Sequence, residues 1–175
     1  TTDSDTEVLV NAWRNDGAMC LKRLDGMFAF ALFDGEVTNL VTDPFGEKPL
    51  YVIQQEEGVY YASEPAALIE LLGLRFAPTE FDLAAFLTLG FIPAPYTGFR
   101  NLQRIEPGSH IVIANGKITK TSRYWIPVEP VVPSGKFKPA SESQVDAIAE
   151  SLFESLRVRL RSDVPMSIFL SSGVD

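Results

Sequence analysis

Three stretches of this 175-residue chain carry side chains that could do chemistry. At one end, Phe169-Leu170-Ser171-Ser172-Gly173-Val174-Asp175 follows an apolar run with small and hydroxyl residues and then an acid. Such a composition suits a phosphate loop, because small residues let backbone N–H groups approach an anion and hydroxyls add donors. A carboxylate beside phosphate needs a cation between them, which makes Asp175 a candidate Mg2+ ligand. An ordinary turn after a buried strand has the same composition. Near the other end, Asp5 stands in Ser4-Asp5-Thr6-Glu7. Its charge either favours a helix N-terminus or meets a cationic ligand. Between them, Asp43-Pro44-Phe45-Gly46-Glu47-Lys48-Pro49 sets Asp43, Glu47 and Lys48 on a loop that proline and glycine restrict. A purely structural corner reads the same way.

Other reactive types are sparse. Cys20 is the one cysteine, and no cationic pattern around it suggests an activated thiol. His110, the one histidine, has no catalytic partner nearby in sequence and reads as a packed or surface strand residue. Arg157, Arg159 and Arg161 could reach phosphate, but cations also suit the C-terminal end of a helix.

The elements that must position these residues follow from pattern. Ser4 to Glu7 has the form of a capping box. It opens a helix with Val8, Leu9, Ala12 and Trp13 at helical spacing, ending near Asp16-Gly17. A second short helix over 18–24 stops before Gly26. Residues 27–33 are all apolar, which predicts a strand covered on both faces, with Phe28 and Phe30 on the same side. Asp34-Gly35 turns it into a return strand over 37–42 that shows no clean alternation. Strands follow over 50–54 and 59–63, then a helix over 65–72 and another over 83–89 with Asp82 as its cap. Asn115-Gly116 joins strands 109–114 and 117–121 in a tight hairpin.

Pro127, Pro130, Pro133 and Pro139 mark 127–140 as an extended linker. Beyond it, Val145, Ile148, Ala149, Leu152 and Leu156 share one face of a helix over about 141–161, and 166–170 reads as a short apolar strand. The expected organisation is therefore an antiparallel β-rich unit over 1–126, the linker, and the first helix and strand of an α/β unit over 141–175.

A formal charge of −8 argues against non-specific nucleic-acid binding, which needs a basic face. No apolar run approaches the ~20 residues of a membrane span. A single cysteine excludes an internal disulfide and suggests a reducing cytoplasm. The chain starts without Met and stops within a strand-to-helix loop, so a piece of a longer protein is expected.

Taken in order, several segments resemble the glutaminase domain of glutamine-hydrolysing asparagine synthetases. They are Ser4-Asp5-Thr6-Glu7-Val8, Leu24-Asp25-Gly26-Met27-Phe28-Ala29-Phe30-Ala31, Asp43-Pro44-Phe45-Gly46-Glu47-Lys48-Pro49-Leu50-Tyr51 and Ala62-Ser63-Glu64. Pro93-Ala94-Pro95, Pro107-Gly108 and Arg123-Tyr124-Trp125 extend the series. Asp163-Val164-Pro165 and the segment from Phe169 to Asp175 resemble the pyrophosphatase loop that opens the synthetase domain.

The resemblance implies an α+β fold: a four-layer αββα sandwich of the N-terminal nucleophile type, followed by the start of an α/β ATP-pyrophosphatase domain. It implies that glutamine hydrolysis supplies ammonia to an aspartate activated with ATP and Mg2+. Asp5 would bind the α-amino group of glutamine. Phe169 and Leu170 would contact the nucleotide through backbone, and Ser171, Ser172, Gly173 and Asp175 would hold pyrophosphate and Mg2+. Partners would be glutamine, aspartate and ATP, with no nucleic acid and no membrane; a homodimer stays open. The family's nucleophilic cysteine, its carboxylate-binding arginine and its oxyanion hole belong upstream of Thr1, so no catalytic residue is expected in these residues and the piece should be inactive alone. Ser172 stands where the family has glycine, which narrows the backbone there. Relatives that act on sugars, peptides or β-lactam precursors share these motifs, and a non-catalytic glutamine- or nucleotide-binding module remains the other reading.

Overall fold

A computed structural model of the chain describes residues 4–129, 139–160 and 164–169. It divides into two compact units, Thr1–Val128 and Glu129–Asp175.

The first unit is mixed α/β with antiparallel sheets. Ser4 caps α1 (Asp5–Asp16) by accepting from Thr6 N–H at 3.2 Å. A 3-10 turn follows over Gly17–Arg23. Strands β1 (Ala29–Phe33), β2 (Thr38–Thr42), β6 (Ser109–Ala114) and β7 (Lys117–Arg123) form one sheet in the order β1-β2-β6-β7. Strands β3 (Tyr51–Gln54), β4 (Val59–Ala62) and β5 (Gln103–Arg104) form the other in the order β4-β3-β5. The predicted β6–β7 hairpin is present, with Asn115 at φ 51° and Gly116 at φ 71°, the left-handed pair that this turn requires. Pro65 opens α2 (Pro65–Leu72), and Gly73 ends it in the left-handed conformation.

Two-residue periodicity sorts the core. Leu40 of β2, Leu50, Val52 of β3, and Ile111 and Ile113 of β6 meet in one buried cluster contributed by both sheets. The next residue along each central strand points the other way. Val41 packs with Cys20 and Leu21, against Ala12, Trp13, Phe28 and Phe30. Ile53 packs with Leu68 of α2 and Leu102.

Two expectations change in this unit. The strand buried on both faces is β2, not the all-apolar 27–33. The latter supplies only an edge strand, and Phe33 remains 67% exposed. Burial is decided by what flanks a strand, and β2 has neighbours on both sides. Asp82 is not the cap of its helix. Thr79 caps α3 (Glu80–Leu89), and Asp82 is the third residue in, reaching back to Thr79 N–H at 2.7 Å to complete a capping box.

In the second unit, Ser141 caps α4 (Glu142–Arg159) with Gln144 as its reciprocal partner. Residues 164–169 form no strand, since a lone apolar segment has no ladder to join. Leu170, the end of the predicted strand, lies outside the described residues, as do 130–138 of the linker.

Candidate functional site

Asp5 occupies the first turn of α1 and is exposed. Among the described residues, no ion pair involves its carboxylate. The helix behind it is attached lightly. None of its residues is fully buried, and its contact with the sheet runs through Ala12 and Trp13. The Trp13 ring stands edge-on to Phe30 at 6.4 Å and to His110 at 5.8 Å between centroids.

His110 is therefore a packed strand residue. It is buried, and its Nε2 lies 2.9 Å from Asn39 Oδ1. Burial, with a smaller contribution from the Lys120 charge, pushes its pKa below the ordinary value. Cys20 is also buried, and desolvation raises its thiol pKa, the opposite of what a nucleophile needs.

The loop after β2 is a corner built on Asp43, which is fully buried. Its carboxylate accepts from Phe45 N–H, Glu47 N–H and Lys48 N–H at 3.0 Å each, and from Phe28 N–H at 3.3 Å. The Asp43 carbonyl receives Gly108 N–H at 2.8 Å, and Gly108 O in turn accepts from Tyr124 N–H at 2.9 Å. Gly108 has φ +63°, and a Cβ there would lie 2.6 Å from Trp125 O. Three motifs distant in sequence, Asp43 to Pro49, Pro107-Gly108 and Tyr124-Trp125, thus converge on one corner, and glycine is required where two backbones meet. Tyr124 Oη donates to Thr42 O at 2.7 Å; burial first, then the Asp43 charge, push its pKa well up. Glu47 and Lys48 are exposed.

At the C-terminal end, Phe169 is fully exposed. Leu170, Ser171, Ser172, Gly173 and Asp175 lie outside the described residues. Among the described residues, no group of three or more His, Cys, Asp or Glu side chains could hold a metal ion. Arg157 is engaged by Glu154 through two contacts of 2.7 Å, and Arg159 bonds Ser155, as expected of a solvated helix end; Arg161 is outside the described residues. No described helix is long and apolar enough to cross a membrane. Sequence reasoning missed Asn39 and Thr42, whose polar side chains are buried by sheet neighbours far away in the chain.

The first unit thus combines two antiparallel sheets with short helices. Residues 1–125 match the glutamine amidotransferase domain family, and the chain belongs to it. Asparagine synthetase [glutamine-hydrolyzing] 1 of Bacillus subtilis is 33% identical over 99% of this chain and 27% of its own length. A putative asparagine synthetase [glutamine-hydrolyzing] of Mycobacterium bovis gives the same identity and coverage. Among solved structures, glutamine phosphoribosylpyrophosphate amidotransferase from B. subtilis superposes with a TM-score of 0.52 over 73% of this chain and 24% of its own, at 21% identity, a likeness of fold. The chain spans about a quarter of the length of the curated relatives it matches.

Proposed function

We propose that this chain is part of a glutamine-hydrolysing, ATP-dependent asparagine synthetase, a carbon–nitrogen ligase of the cytoplasm. The observation that carries the reading is alignment with such enzymes across 99% of the chain, beyond the 125 residues of the amidotransferase match. Residues 1–126 are its glutaminase part, 127–140 its linker and 141–175 the start of its ATP-binding part. The finer architecture is an αββα sandwich. Three separate apolar clusters support it, one shared by both sheets and one on the outer face of each.

Asp5 serves as the anchor for the α-amino group of glutamine, a charge-assisted contact between carboxylate and ammonium. Its exposure at a helix start leaves it free to do so. The described part of the chain offers no activated thiol, because its one cysteine is buried with a raised pKa. On this reading, these residues alone would be inactive toward glutamine. ATP and Mg2+ would be held by Ser171, Ser172, Gly173 and Asp175, with Phe169 and Leu170 beside the nucleotide; they would supply activation of a carboxylate. Aspartate is the acceptor favoured over a sugar, peptide or β-lactam precursor, given the relatives' names.

The test uses the full-length protein carrying this chain. Pyrophosphate release is measured with glutamine and ATP while aspartate and other acids are offered in turn. Release that requires aspartate and yields asparagine is expected. Release indifferent to aspartate defeats the assignment.

A further inference from the structure

His110 of β6 lies under α1, the helix that carries Asp5. Trp13 of α1 sets its ring edge-on to the His110 ring at 5.8 Å and to the Phe30 ring at 6.4 Å between centroids. Asp5 and Trp13 belong to one unbroken helix, about 12 Å apart along its axis. A tilt imposed at Trp13 therefore moves the Asp5 carboxylate.

Hydrogen bonding fixes the state of the ring. Asn39 Nδ2 donates to Leu32 O at 3.4 Å, which turns Asn39 Oδ1 toward His110. Nε2, 2.9 Å from that oxygen, is then the donor, and the neutral ring keeps its lone pair on Nδ1. A proton taken up there puts a full charge on a ring that is 8% exposed and lies against Trp13. Asn39 accepts from the ring in either state but cannot neutralise it. Among the titratable groups around the ring, Lys120 of β7 opposes the charge. Cys20 of the 3-10 turn, its pKa raised, stays a neutral thiol below about pH 8. β1, β2 and α1 bring Phe30, Asn39, Val41 and Trp13, none of which ionises. The contact is interior and owes nothing to an open surface. A charge placed in it is relieved when Trp13 withdraws and water enters.

We propose, on the reading of Asp5 as the glutamine contact, that His110 is a positioning residue for Asp5: neutral, it seats Trp13 and with it α1; protonated, it loosens that seat and weakens the hold on the α-amino group of glutamine. The seat is complete above about pH 6.5 and is lost progressively below it.

The test uses the full-length protein and follows glutamate release from glutamine at about pH 8 and about pH 5.5. KM for glutamine should rise as pH falls, about fivefold more in the unsubstituted protein than in His110→Gln, the low end of coupling between sites. Titration of other groups is common to both proteins and cancels, and kcat should change alike in both. In Asp5→Asn the part of the rise that depends on His110 should vanish, because the contact through which it acts is gone. If Asp5→Asn leaves KM unmoved, the glutamine reading of Asp5 fails, and the role of His110 falls with it. If Asp5→Asn raises KM while His110→Gln keeps the unsubstituted pH profile, Asp5 retains its role and His110 has none in positioning. A His110-dependent rise that persists in Asp5→Asn also overturns the proposal. Circular dichroism at both pH values checks the fold, and His110→Asn stands in if His110→Gln does not fold. Loss of folding in both assigns the ring to the core alone and overturns the proposal.

Discussion

Asp43 and Asp5 are both carboxylates next to a chain reversal or helix start, yet the fold treats them in opposite ways. Asp43 is wholly buried and gathers four backbone N–H groups. Asp5 is exposed, and no ion pair among the described residues involves it. A carboxylate saturated with N–H donors has no capacity left for a ligand, and its work is architectural. One exposed at a helix start can still recognise a cation. Charge on a loop therefore says little about function until its donors are counted.

The largest effect in this comparison belongs to Asp43→Ala. It strands several N–H groups at a corner where Phe28, the 43–48 loop and Gly108 meet. Hydrogen bonds to a charged group contribute about 1.5–3 kcal/mol each but do not add independently, so a loss of about 3 kcal/mol or more is expected. Urea unfolding followed by circular dichroism measures it. A loss under about 1 kcal/mol would mean that water replaces the carboxylate, and the corner would then not depend on it.

How much of this was readable beforehand varied with how local the cause was. The hairpin at Asn115-Gly116 and helix α2 between Pro65 and Gly73 are set by backbone preferences of two or three residues, and they occur where expected. The roles of β1 and β2 were reversed, because an apolar run reports hydrophobicity and not neighbours. Burial on both faces erases the alternation that would have marked β2, and only the pairing with β6 explains it. Asp43 was read as either a candidate or a corner. Its donor from Phe28, 15 residues away, could not be seen in the spacing. Asp5 was legible as a first-turn residue, but nothing in its own neighbourhood distinguishes a dipole partner from a ligand anchor.

A smaller effect concerns the seat of the helix that carries Asp5. His110 lies under Trp13 with its pKa lowered by burial and by Lys120, so the folded chain binds its proton less readily than the unfolded chain. Between the lowered folded value and the unfolded value of about 6.5, the unfolded state holds more protons, and stability rises with pH. Above about pH 6.5 this contribution is complete, and it declines as pH falls below that value. Unfolding midpoints between about pH 5 and 8 should show this rise and then a plateau. His110→Gln, which can still meet Asn39, should flatten the profile in that window. An unaltered slope would assign the pH dependence to other groups, since the chain has one histidine.

Asp5→Asn should have the smallest effect on the fold and the most selective effect on activity. The residue is exposed and supports no other described side chain, so the unfolding midpoint should barely move. In the full-length protein, the amide would still fill the space of the carboxylate but could no longer neutralise an ammonium. Loss of binding energy spent equally on substrate and transition state raises KM and leaves kcat alone. The expected result is a higher KM for glutamine with synthesis from free ammonia intact. An equal fall in the ammonia-driven reaction would place Asp5 with Asp43 as a structural carboxylate, and the contrast between the two would disappear.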